Sequence, residues 1–131
     1  EAGVLVVGVH WGIEYTDTPR EVQRDWAKRM IKDGADVIVG HHPHWVQNVE
    51  YLYPGGVATI PPPGWDKIKP VYYSLGNFVF DQMWSEETKK GLMVKLTFNE
   101  DKIVNEEKIP IYIEEVGQPE IRQASPKEKN R

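Results

Sequence analysis

Apolar residues fall into short runs separated by polar, Gly- and Pro-rich stretches, and the runs alone outline a fold. Val4-Leu5-Val6-Val7-Gly8-Val9 is a continuous β-branched run, which predicts a strand covered on both faces, as in parallel sheets. Thr18-Pro19-Arg20-Glu21 signals a helix start: Thr18 as N-cap, Pro19 at the first helical position, Glu21 completing a capping box. Val22, Trp26 and Met30, flanked by Ala27 and Ile31, keep an i, i+4 stripe with charges opposite, and Gly34 suits the C′ position. The helix is therefore predicted over 19–33. Asp36-Val37-Ile38-Val39-Gly40 is a second short run. Strand, helix, strand makes a βαβ unit with a right-handed crossover, so the two strands run parallel.

Beyond this unit the pattern is mostly β. Val46 to Tyr53 reads as extended, Pro54-Gly55-Gly56 as a turn, and 54–70, with Pro61-Pro62-Pro63-Gly64, as a rigid surface loop. Val71-Tyr72-Tyr73-Ser74 is a third strand, and Phe78-Val79-Phe80-Asp81 continues extended. Leu92, Val94, Leu96 and Phe98 alternate with Met93, Lys95 and Thr97, the pattern of a half-buried antiparallel strand. Asn99-Glu100-Asp101 turns the chain into Lys102–Val104. Ile109, Ile111 and Ile113 form a further strand, for which Pro110 favours a sheet edge. From Gly117 the tail is charged and Pro-containing and is expected to be poorly ordered. The fold class is thus α/β: a βαβ unit followed by β segments, one domain over 1–116 and a polar tail over 117–131.

Composition narrows the chemistry. With 131 residues there is room for one core. A net charge of −4, without a Lys/Arg patch, argues against a nucleic-acid partner. The absence of cysteine removes disulfides, thiolate ligands and a Cys nucleophile together. The longest apolar stretch, Val4 to Val9, is too short to cross a bilayer. The chain opens without Met, almost directly on a strand, and is expected to be the carboxyl-terminal part of a longer protein.

The four histidines are His10, His41, His42 and His44. If the two parallel strands are neighbours, all four leave the sheet at its carboxyl edge, where ligands bind in open α/β sheets. Imidazole is a good ligand for Zn, Mn, Fe or Ni. In an extended segment, alternation puts His42 and His44 on one face and His41 on the other, with Pro43 holding the segment extended. Loop histidines on a solvated edge are the plain alternative, but three within four residues plus one on the partner strand favour a metal site. Glu14 and Asp81 are candidates to orient the ligands. Asn77, after Ser74-Leu75-Gly76, could bind a metal or a substrate oxygen or simply make a turn. Trp11, Trp45 and Trp84 could wall a cleft. Ser74 lacks a nucleophile elbow.

His10-Trp11-Gly12-Ile13-Glu14-Tyr15, then Pro19 and Gln23, then Gly34 through His44, then Tyr73-Ser74-Leu75-Gly76-Asn77-Phe78-Val79-Phe80-Asp81, closely resemble the CapA-like family. These are bacterial capsule or poly-γ-glutamate synthesis proteins related to calcineurin-like metallophosphoesterases. The resemblance covers about residues 3–98. It implies the carboxyl-terminal part of a metallophosphatase-type α/β/β/α sandwich and a dimetal site at strand ends. By motif, the late ligands fall on His10, His42 and His44; His41 and His42 compete for the first position of the His-x-His pair. The family's early Gly-Asp and Asn-His motifs are absent, so the site is incomplete in this chain, and the amino-terminal half of the fold is an implied partner.

The resemblance further implies a metal-dependent hydrolase or transferase using two divalent ions (Mn, Zn or Fe), with Glu14 and Asn77 orienting substrate or water. Its substrate would be an anionic polymer or a small phosphoester or amide, handled beside other capsule-synthesis proteins. The full-length protein would be membrane-anchored on the extracellular face of the bacterial envelope. The rival reading is a non-catalytic envelope component that binds or helps export an anionic polymer on the same fold.

Overall fold

A computed structural model describes residues 3–115 and 117–121 and stacks one helix and two sheets in three layers. β1 (Val6–His10), α1 (Glu21–Lys32) and β2 (Val37–His41) form the βαβ unit. β1 and β2 are parallel, in register from Val6 opposite Val37 to His10 opposite His41. β3 (Val49–Tyr53), β4 (Gly56–Ala58) and β5 (Lys69–Tyr72) complete a five-stranded sheet of order β1-β2-β5-β3-β4. β5 is parallel to β2, whereas β3 is antiparallel to both its neighbours. β6 (Lys90–Asn99), β7 (Lys102–Glu115) and β8 (Gln118–Ile121) make a separate antiparallel sheet.

Alternation on β2 and β5 explains the layering. Ile38, Val71 and Tyr73 face α1 and bury Ala27, Met30 and Ile31 with Trp11 and Leu52. Val37 and Tyr72 face the other way, against Ile103, Val94 and Leu96 of the second sheet. The phenols of Tyr51 and Tyr72 both donate to Glu106 of β7, at 2.6 and 2.5 Å, and tie the two sheets together.

The structure shifts several expectations. The helix starts later than Thr18 and Pro19 suggested: Arg20 is the N-cap, and its N–H donates to Gln23 Oε1 at 2.9 Å. The Thr18 hydroxyl donates to Asp17 instead. Gln23, fully buried at this cap, takes a place in the core-facing line with Ala27, while Val22 and Trp26 are exposed. Gly34 ends the helix as expected, at φ 113. β1 is a sheet edge with only Val7 and Val9 partly covered, so the run expected to be buried on both faces leaves Leu5 and Val6 half exposed. Phe78–Phe80 form no strand. Lys102–Val104 and Ile109–Ile113 merge into the 14-residue β7. β7 is the central strand of its sheet; among the described residues Pro110 pairs with Leu92 of β6, and the pairing with β8 begins at Ile111. The tail expected from Gly117 begins with β8; residues 122–131 lie outside those described.

Candidate metal centre

The parallel register delivers His10 and His41 side by side at the carboxyl edge of the sheet. Beyond it, the loops after β1 and β2 run together: Trp11 N–H donates to His41 O at 3.1 Å and Tyr15 N–H to Pro43 O at 2.7 Å. The Gln47 amide, itself buried, donates to the Thr16 carbonyl at 3.0 Å and clamps the same two loops. These contacts carry Glu14 to His42 and His44.

The ligand atoms of Glu14, His42 and His44 all lie within 4.8 Å of one another. Glu14 Oε1 is 3.9 Å from His44 Nε2. In a tetrahedral shell with bonds of about 2.0–2.2 Å, ligand atoms sit roughly 3.4 Å apart, so small side-chain movements would close the cluster on one ion. Two imidazoles and a carboxylate suit Zn, Mn or Fe, and three protein ligands leave a position for water or substrate. The donor set therefore fits a divalent transition metal. The His10 ring packs against His42, tilted by 50° with ring centroids 4.6 Å apart, next to this cluster but outside it. His41 also stays outside; partial desolvation, and secondarily His10 beside it, hold its imidazole below the ordinary histidine range.

His42 and His44 converge for a different reason from the one alternation gave. Their backbones are not extended: φ is 103 at His42 and 60 at His44, and Tyr15 beside them is at 60. Such left-handed geometry in non-glycine residues costs of order 1–3 kcal/mol each and clusters at functional sites. Pro43, fully buried between the two histidines, anchors the turn.

Asn77 lies against His44, its Oδ1 2.9 Å from Nδ1. Its amide nitrogen donates to Thr88 O at 2.9 Å and reaches Gln82 Oε1 at 3.3 Å. Trp11 is a core residue, 6% exposed, its indole N–H donating to Tyr73 O at 2.8 Å. With Trp26 it also lines an apolar cleft of about 300 Å³ next to His10. Trp84 is exposed and meets Tyr15 edge-on. Asp81 is exposed; its neighbour Gln82 is the residue that ties into the site. Ser74 is buried and bonds locally to Gly76 N–H.

A family model described as the bacterial capsule synthesis protein PGA_cap matches residues 1–82. The chain belongs to the PGA_cap family. It is 38% identical over 128 residues to "PGA biosynthesis protein CapA" of Bacillus subtilis (strain 168), covering 98% of the chain and 30% of that protein. It is also 38% identical over 118 residues to "Capsule biosynthesis protein CapA" of Bacillus anthracis, covering 90% of the chain and 25% of that protein. The chain thus spans less than a third of the length of either relative.

In this PGA_cap chain the residues that sequence reasoning passed over are Gln82 and Thr88, and Phe80 was read only as part of an extended run. Thr88 is fully buried and holds Asn77 through its carbonyl. Gln82 joins Asn77 to the Tyr15 hydroxyl, 3.2 Å from its Nε2. Phe80 packs on the His44 ring, centroids 5.2 Å apart. Gln82 and Thr88 sit among polar residues with no periodicity, and the extended run expected around Phe80 does not form, so no pattern pointed these three at His44.

Proposed function

We propose that this PGA_cap chain carries part of the metal centre of a hydrolase or transferase acting in capsule-polymer biosynthesis. The convergence of Glu14, His42 and His44 at the carboxyl edge of parallel strands, with both histidines on strained backbone, is the observation that carries the reading. When bound, a divalent cation would supply Lewis-acid polarisation of a phosphoryl or acyl oxygen and a water of lowered pKa. The chain's own residues divide the remaining work. His42 and His44 would hold the ion and Glu14 would complete the set from the exposed side, while Tyr15 and Phe80 pack on His44 and limit water around it. His10, whose ring packs against His42, would be a donor available to a second ion. The substrate class in this reading is an anionic capsule polymer or a precursor with a phosphoester or amide bond. The net charge of −4 makes cations the natural bridge to such a polyanion. The rest of the longer protein would supply further ligands and the envelope anchor; among the described residues no helix is long and apolar enough to cross a membrane.

Metal analysis of the purified full-length protein, with zinc and manganese titrations, tests the reading. Bound transition metal, lost in His42→Ala together with Mn- or Zn-dependent turnover of an aryl phosphate or γ-glutamyl amide, is the expected result. If no transition metal binds and His42→Ala leaves turnover and polymer yield unchanged, the reading is wrong.

A further inference from the structure

We propose that Asn77 is a positioning residue that fixes His44 as its Nδ1–H tautomer and so turns the Nε2 lone pair toward Glu14 and His42. The inference rests on the metal-centre reading for its purpose, but its geometry stands separately.

An Asn–His contact is ambiguous by itself, because the amide and the imidazole can each donate or accept. Thr88 removes the ambiguity. Its backbone carbonyl can only accept, and it lies 2.9 Å from Asn77 Nδ2. The Asn77 NH₂ group must therefore face Thr88, and the second amide hydrogen has Gln82 Oε1 at 3.3 Å. Oδ1 is left facing His44 Nδ1 at 2.9 Å. A carbonyl oxygen cannot donate, so the hydrogen in this bond belongs to the ring. In the neutral imidazole the free lone pair then falls on Nε2, the atom 3.9 Å from Glu14 Oε1. Two electron-pair donors face each other across that gap, an arrangement that a cation between them stabilises.

The reference point is rigid. Thr88 is fully buried, its hydroxyl donating to Gln82 O at 2.7 Å and its N–H to Ser85 Oγ at 3.1 Å. On the other side the Asn77 backbone rests on Gly91, where a Cβ would come within 2.0 Å of the Asn77 main-chain oxygen. Tyr15 and Phe80 both pack against the His44 ring. Tautomer choice at a metal-ligating histidine is commonly set by a polar partner on its other nitrogen, and losing that partner typically weakens metal binding 10–100-fold. Here the partner is a side-chain amide whose own orientation is dictated by the backbone.

The test is a long-range ¹H–¹⁵N correlation spectrum of histidine-labelled, metal-free protein, with zinc affinities measured by calorimetry. In the wild type, His44 is expected as the Nδ1–H tautomer; finding Nε2–H overturns the proposal without any variant. Asn77→Leu should give a mixture of tautomers and bind zinc about tenfold more weakly or worse. Asn77→Asp keeps an oxygen against Nδ1 but loses the bond to Thr88. It should be less stable, yet retain the Nδ1–H tautomer and a zinc affinity within a few-fold of wild type. A merely structural Asn77 would lower stability in both variants and leave the tautomer and zinc affinity alike, which overturns the proposal. If Asn77→Leu does not fold, the wild-type and Asn77→Asp spectra still decide. Failure of the wild type to bind zinc or manganese would overturn the metal-centre reading, while the tautomer spectra would still decide the hold of Asn77 on His44.

Discussion

His42 brings its ring to the centre of the cluster from a backbone at φ 103, a region that suits glycine. Strain and ligation can therefore be separated in one substitution. His42→Gly removes strain of order 1–3 kcal/mol, against an added unfolded-state entropy of about 0.5–1 kcal/mol. The thermal midpoint is expected to hold or rise while zinc affinity falls at least tenfold; a lower midpoint in calorimetry would show that the left-handed turn is not strained. At this scale the sequence named side chains that the fold brings together and was silent about what brings them there. The cluster of histidines named the candidates, and alternation picked His42 and His44 over His41. Two left-handed residues, which no histidine announces in a sequence, are what bring the chosen rings together. Glu14 was legible as a neighbour of His10 along the chain, but its place beside His44 comes from the bonds between the two loops.

Among the elements, β2 is the one whose position the site depends on, and Gly40 explains how it gets there. A Cβ at Gly40 would lie 2.1 Å from Tyr73 O and 2.5 Å from Trp11 Nε1, inside the contact where the indole donates to that carbonyl. Only glycine lets β2 lie this close to the chain after β5. Gly40→Ala should cost about 1–3 kcal/mol, the usual range for overpacking, and displace His41–His44. The expected readings are a lower urea midpoint and quenched zinc binding; an unchanged midpoint would mean that the Trp11–Tyr73 contact yields freely. The βαβ unit was readable because period 3.6 and β-branched runs survive in it. The helix was rotated from its predicted face because Gln23, polar in sequence, is buried where its amide serves the cap. β1 misled in the same way: its composition is that of a covered strand, but the described residues place nothing on its outer edge.

Across the whole molecule, buried phenols on carboxylates join the layers. Tyr51 and Tyr72 donate to Glu106 and bind sheet to sheet; Tyr73 donates to Glu50 at 2.9 Å, and Arg24 of α1 reaches the same carboxylate at 2.8 Å. Burial first, and then the accepting carboxylate, raise all three phenols well above their ordinary range. In the unfolded chain a tyrosine ionises near pH 10. Above that pH the folded protein retains protons that the unfolded chain loses, so the unfolded state binds fewer and stability falls as pH rises. Below about pH 10 these groups contribute no pH dependence. Each can lower stability by at most about 1.4 kcal/mol per pH unit. Urea midpoints measured between pH 9 and 11 should fall progressively above 10, and less steeply in Tyr72→Phe, which leaves one raised phenol fewer. The same slope in both proteins would mean that Tyr72 ionises as freely folded as unfolded, and that its bond to Glu106 does not hold the two sheets together.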